Sequence, residues 1–207
     1  MSGIGPFAVP LGMSNVTTHA NDLNPSSHLY LVRNVKANKC EEHVKTYCMC
    51  AREFVHKLSD EGTAVTDVIM NLPATAVEFL DAFRSWNSEV CRLPMVHVYC
   101  FVKCQSMEAT DAKDRIMPRV IAALGCTEED LPASEVTIHI VRDVAPKKPM
   151  CCVSFRLPEA MATLERVDLG DYVEGVRKGS KPWGEGEGEE EEEEEEKEGG
   201  GGKRRKL

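Results

Sequence analysis

Val65-Thr66-Asp67-Val68-Ile69-Met70-Asn71-Leu72-Pro73-Ala74-Thr75-Ala76-Val77-Glu78-Phe79-Leu80 is the stretch that decides the fold. Residues 65–71 are β-branched and apolar enough to read as a strand. Residues 74–86 set Val77, Leu80 and Phe83, or Ala76, Phe79 and Phe83, at helical spacing. Asn71-Leu72-Pro73 thus puts a polar side chain and a proline where a strand ends and a helix begins. In an open α/β sheet the ligand crevice lies just beyond such carboxyl ends, which makes Asn71 and Pro73 the first candidate site residues.

Working outward, β-branched runs at 16–22, 44–50, 95–103, 135–143 and 149–156 read as further strands, with helical patterns filling the gaps between the first five of the six, from 16–22 through 65–71 to 135–143. Residues 25–38 open with Asn24 as a permissible N-cap and Pro25 in the first turn, and place Leu29, Val32 and Val35 on one face. Strand and helix alternating in this way predict a mostly parallel sheet with crossover helices on both faces. The last two strands are joined only by Ala145-Pro146-Lys147-Lys148, too short for a parallel crossover, so they are expected to form an antiparallel hairpin.

Composition narrows the function classes. A chain of 207 residues with 42% hydrophobic content can bury one sizeable core. No apolar run approaches the roughly 20 residues that crossing a bilayer needs, so no membrane role is expected. The formal charge of −9 is uneven: residues 184–207 hold eleven glutamates against Lys197, Lys203, Arg204, Arg205 and Lys206, leaving −3 for residues 1–183. An acidic total therefore does not exclude a nucleic-acid partner, which needs only a local basic patch. The nine cysteines include no paired two-residue spacings of a zinc site, and they read as reduced, mostly buried thiols with no metal expected. The expected organisation is one domain over 1–160, an extension over 161–183, and a disordered Gly/Glu tail over 184–207 whose Lys203-Arg204-Arg205-Lys206-Leu207 end reads as a nuclear import signal, a basic counterweight to the glutamates or simply a solvated end.

Gly3-Ile4-Gly5-Pro6-Phe7 opens the chain, and glycines there let backbone approach a ligand closely or simply make a turn. About fifteen residues on, a strand runs into Asn21-Asp22-Leu23-Asn24-Pro25. An acid in this position of adenosyl and dinucleotide sites accepts hydrogen bonds from ribose hydroxyls. Asp22 is that candidate, with helix capping as the alternative role.

Taken in order, these segments resemble the eukaryotic and archaeal tRNA (guanine-37 N1)-methyltransferases. Ser2 to Pro10 is similar to the family's first adenosylmethionine loop, Ala20 to Asn38 to its second, Asn71 to Phe83 to its base-binding loop and helix, and Val141 to Pro158 to its closing hairpin. The resemblance covers about residues 2–158. It implies a Rossmann-like class I methyltransferase fold whose first strand is missing, S-adenosyl-L-methionine as cofactor, and the anticodon loop of tRNA as partner. It also implies a monomer, working in cytoplasm, nucleus or mitochondrial matrix.

Roles follow from the same resemblance. Gly3 and Gly5 would lie near the methionine and ribose of the cofactor, Asp22 on the ribose and Leu23 against the adenosine. Asn71 and Pro73 would sit beside the target base as the catalytic pair, with Asn71 also in reach of the cofactor. Where the family has an acid followed by a small residue after its second-loop strand, this chain has Cys50-Ala51, so Cys50 stands at the adenine contact. The family's proton-accepting acid, an arginine and a tRNA-recognition domain would precede Gly3, so the chain reads as the carboxyl-terminal part of a longer enzyme. Three other functions stay open: transfer of an aminocarboxypropyl group from the same cofactor, a binding module without catalysis, and methylation of an amino group on adenine or protein. Lys147 and Lys148 are candidate phosphate contacts, while the six scattered histidines, Glu53 and Glu78 read as structural or solvated.

Overall fold

In the computed structural model, residues 1–89, 92–106 and 108–168 are described. Six strands occur in them: β1 (Thr18–Asn21), β2 (Val44–Tyr47), β3 (Asp67–Asn71), β4 (Met95–Phe101), β5 (Thr137–Ala145) and β6 (Lys148–Arg156). The helices are α1 (Ala8–Met13), α2 (Pro25–Ala37), α3 (Ala51–Asp60) and α4 (Ala109–Leu124), with 3-10 helices over Ala76–Phe83, Ala133–Glu135 and Glu159–Ala162. Most of the expected extension, the Gly/Glu tail, Trp183 and the basic end lie outside the described residues, as does Cys91.

The strands fall into two hydrogen-bonded sheets. One is β1-β2, parallel, and the other runs β3-β4-β6-β5, with β3-β4 parallel and the β4-β6 and β5-β6 pairs antiparallel. The hairpin closes as its short link requires, with Ala145 opposite Lys148 and Lys147 at φ +56°. This is the Rossmann-like α/β arrangement, divided between β1 and β3.

Period-2 alternation decides which way the larger sheet faces its core. Val96, Val98 and Cys100 on β4 and Cys151, Val153 and Phe155 on β6 are buried, while His97, Tyr99, Cys152 and Ser154 between them are half-buried on the other face. Ile116, Val120 and Leu124 of α4 are buried too, on the helical i, i+4 repeat. Burial pushes the Cys100 thiol up to about 12 and Cys151 to about 11, so both remain protonated.

Two expectations need correction. The core face of α2 is Leu31 and Val35; Leu29 and Val32 are 50% and 42% exposed. Both pairs fit helical spacing, and contact with the amino-terminal loop and β1-β2 selects the former. The expected helix over 74–86 is a shorter 3-10 turn, in which residues three apart eclipse. Six of its eight residues are buried, and the other two, Glu78 and Asp81, pair with Arg119 and Arg52 at 3.0 and 2.8 Å.

Candidate functional site

The amino-terminal loop is tied to the carboxyl end of β1 by backbone and by one carboxylate. Ser2 N–H donates to Asn21 O at 2.8 Å, while Asp22 accepts from Gly3 N–H on Oδ2 at 2.8 Å and from Asn24 N–H on Oδ1 at 3.0 Å. The Met1 ammonium lies 3.5 Å from Asp22 Oδ2, and burial lowers its pKa against the pull of that carboxylate. A carboxylate has about four acceptor positions, so Asp22 keeps capacity for further donors after these bonds. Asn24, meanwhile, caps α2 by accepting from Ser26 N–H at 2.9 Å.

The two glycines of the loop differ. Gly5 sits at φ +98°, and a methyl group on it would lie 2.8 Å from Leu31 Cδ1 and 2.9 Å from Val9 Cγ2. Gly5 is therefore a packing glycine. Gly3, at φ +55°, has nothing within 4 Å of the same position, so open space adjoins its backbone.

Asn21 carries a part that the sequence reading missed. Its side chain is buried and makes two bonds to one residue, donating to Met49 O at 3.0 Å and accepting from Met49 N–H at 3.1 Å. These bonds fix the turn from β2 into α3. Cys50 within that turn is 5% exposed and makes no side-chain cap to α3, whereas Ala51 beside it faces a cavity. Leu23 is partly exposed next to Asp22.

On the other half-sheet, Asn71 ends β3 half-buried and directly opposite Tyr99, and among the described residues its side-chain amide makes no hydrogen bond. Pro73 O accepts from Phe101 N–H at 3.0 Å, and Leu72 O accepts from Ala76 N–H at 2.7 Å, so the Asn-Leu-Pro loop is held by its backbone. The Tyr99 ring also meets Phe7 of the amino-terminal loop, centroids 5.6 Å apart. That contact joins the two halves above the gap between β1 and β3.

A cavity of about 470 Å³ occupies the gap, and Met1, Ser2, Asn21, Ala51 and Asn71 all line it. Gly3, Asp22 and Cys50 are chain neighbours of lining residues without lining it themselves, and Gly5, Leu23 and Pro73 stand one residue further away. The histidines on its wall are engaged: His19 Nδ1 lies 3.0 Å from the Tyr47 hydroxyl and His97 Nδ1 2.8 Å from Ser154 Oγ. Among the described residues no cluster of three or more His, Cys, Asp or Glu is placed to hold a metal ion, and no helix is long and apolar enough to cross a membrane.

Parallel strands with crossover helices, a glycine turn bonded to an acid at one strand's end and a polar Asn-Leu-Pro loop at another's define a nucleotide-cofactor type of α/β domain. Comparison with known proteins gives its family. The TRM5/TYW2 methyltransferase domain model matches residues 1–122, and the chain belongs to that family. It is 47% identical over 174 residues to a tRNA (guanine(37)-N(1))-methyltransferase 1 of Phaeodactylum tricornutum, covering 82% of this chain and 38% of the relative. Against the human tRNA (guanine(37)-N(1))-methyltransferase identity is 38%, covering 77% and 33%. The chain thus spans about a third of the length of these curated relatives.

Solved structures agree on the fold. Methanocaldococcus jannaschii Trm5 in complex with adenosine superposes with a TM-score of 0.52 at 22% identity, covering 77% of this chain and 42% of that one. TYW2 of the same organism, in complex with AdoMet, gives 0.52 at 20% identity, covering 76% and 67%.

Proposed function

We propose that this chain forms the cofactor- and base-binding part of a tRNA (guanine-37 N1)-methyltransferase, which moves a methyl group from S-adenosyl-L-methionine to N1 of the guanine after the anticodon. The observation that carries the reading is that Asn71 of the Asn-Leu-Pro loop shares one cavity with Ser2 and Ala51, at the ends of three strands. The relatives' names support the substrate, and the adenosine and AdoMet in the two archaeal structures support the cofactor.

The residues present suit an adenosyl sulfonium. Open space beside Gly3, spare acceptor capacity on Asp22, the small Ala51 and the uncommitted Asn71 amide are each compatible with such a ligand. When bound, the cofactor supplies an electrophilic methyl group for an in-line displacement. What remains for the protein is alignment, worth up to ~7–11 kcal/mol in favourable cases. Asp22 holds the Gly3 turn and offers acceptors to ribose hydroxyls. Asn71 offers one donor and one acceptor to a guanine edge, and the backbone-tied Pro73 keeps that loop in place. An anticodon-loop base is already exposed, which makes its entry into a pocket inexpensive. Lys147 and Lys148 at the hairpin turn are proposed phosphate contacts.

Calorimetry with S-adenosylmethionine, followed by nucleoside mass spectrometry of a guanine-37 tRNA exposed to both, tests the reading. Cofactor uptake is expected, and any modified guanosine formed is expected to be N1-methylguanosine. Undetectable cofactor binding, or a product bearing an aminocarboxypropyl group, would overturn it.

A further inference from the structure

The pairing of β1 with β2 continues past the point where their backbones part. Its last main-chain rung runs from Asp22 N–H to Tyr47 O at 3.3 Å. In a parallel ladder the rung after it would take Met49 N–H. The Asn21 side chain takes that group instead: Oδ1 accepts from Met49 N–H at 3.1 Å, and Nδ2 donates to Met49 O at 3.0 Å. A carboxamide carries one acceptor and a donor, as a peptide group does, so a single buried side chain closes both bonds. The Asn21 carbonyl meanwhile accepts from Ser2 N–H at 2.8 Å. One residue thus ties the amino-terminal loop and the β2-α3 turn to the same strand end.

The turn has little else to hold it. Among the described residues, the two Asn21 bonds are the only hydrogen bonds that reach the Met49 backbone. Cys50 gives α3 no side-chain cap and is buried, while Ala51 faces the cavity, as Asn21 itself does. The placement of the strand ends says which part of a nucleoside this turn would meet. With a ribose on Asp22 at the end of β1 and the reacting carbon turned toward Asn71 at the end of β3, the base extends the other way, over the end of β2. Cys50 offers only a weakly hydrogen-bonding thiol there and does not line the cavity. The purine edge is left to the peptide groups of the turn, and Asn21 sets where those groups lie.

We propose that Asn21 is a positioning residue for purine recognition: its carboxamide fixes the peptide groups of Met49 to Ala51 so that they favour adenine over hypoxanthine. The inference rests on the cofactor reading above and adds what selects the base of that cofactor. Adenine presents an amino donor beside a ring-nitrogen acceptor, whereas hypoxanthine presents a carbonyl acceptor beside a ring N–H. Peptide groups placed for the first pattern therefore meet like groups in the second, and the mismatch leaves buried donors and acceptors unpaired. Asn21 touches no part of the base in this account. It acts through the turn, so its removal should cost base selectivity rather than the contacts that Asp22 would make to the ribose.

The test is calorimetry of the 207-residue chain with S-adenosylhomocysteine and with S-inosylhomocysteine, which differ only at the purine edge. The unaltered chain is expected to prefer the adenosyl ligand by at least about tenfold. Asn21→Ala removes both bonds to Met49, and Asn21→Thr keeps a strand-favouring residue whose hydroxyl, one bond shorter, cannot span both groups. Both variants should bring the preference down to about twofold or less and speed hydrogen exchange of the Met49 amide by at least about tenfold, with the Thr18 amide unchanged. Val44→Ala, in the buried cluster at the other end of β2, is the structural reference: it should lower Tm and keep the preference. An undiminished preference in N21A and N21T, a Met49 amide that exchanges no faster, or a preference lost equally in V44A would overturn the inference. A chain that binds both ligands alike would overturn it while leaving the cofactor reading intact, and a chain that binds neither would overturn the two together.

Discussion

The ends of β1 and β3 carry the two polar loops of the site, and they are built in opposite ways. At the end of β1, Asp22 and Asn21 spend their side chains on the protein itself, on Gly3, Asn24 and Met49. At the end of β3 the backbone does the holding, through Leu72 O and Pro73 O, and the Asn71 amide is left uncommitted. A side chain already used for architecture gives stability when intact and takes stability away when removed. One held ready by its backbone can be changed with little effect on the fold and a large effect on whatever it would bind.

Gly5→Ala should break the β1 end most severely. The new methyl group meets Leu31 and Val9 under 3 Å away while the backbone stays at positive φ, so overpacking and left-handed strain add to roughly 3 kcal/mol. Chemical denaturation should show a lower midpoint at unchanged slope. Asn71→Ala has the complementary profile: in the proposed methyl transfer to guanine-37 tRNA, about 100-fold lower kcat/KM from lost alignment, with a stability change within about 0.5 kcal/mol. If the two profiles were exchanged, the contrast between the loops would be wrong.

Asp22→Ala comes next, leaving the Gly3 and Asn24 N–H groups without their acceptor at a cost of about 2 kcal/mol. Asp22→Asn should recover part of this, because one amide oxygen can serve one of the two donors. Gly3→Ala sharpens the comparison within the loop: the φ is positive but the space is open, so about 1 kcal/mol is expected, a third of the Gly5 effect. A thermal series of the two glycine variants side by side reads that ratio directly.

How far the sequence could carry these distinctions depends on what each signal measures. Alternation on β4 and β6 is a local property with a fixed period, and the buried Val96, Val98, Cys151 and Val153 follow it. On α2, Leu29 with Val32 and Leu31 with Val35 are equally good helical pairs; only the tertiary contact of Leu31 with the Gly5 loop separates them. The 3-10 geometry of Ala76–Phe83 was hidden for a similar reason, since close burial of six residues in eight overrides an α-helical pattern. The site divides along the same line. Asn71 was legible as a polar residue at a strand's end. The work of Asn21 was not, because its partner Met49 lies 28 residues away and an amide in a strand has no spacing that announces it. Nor does the sequence show that Oδ2 of Asp22 is engaged by a donor 19 residues upstream.

The gentlest probe of the β1 half is acid. His19 bonds to Tyr47 and stacks on its ring at 5.8 Å, and its pKa is lowered, chiefly by burial and next by Lys45. His56 on α3 is lowered too, first by burial and then by Arg166. In both cases the unfolded chain binds a proton more readily than the folded one, so stability rises with pH through this range. Their contribution is complete above the unfolded value of 6.5 and is lost as pH falls below it toward the depressed folded values. Denaturant midpoints measured from pH 7.5 down to pH 5 should therefore decline, at roughly constant slope. His19→Gln keeps a polar partner for the Tyr47 hydroxyl without a titrating ring, and it should flatten part of that decline.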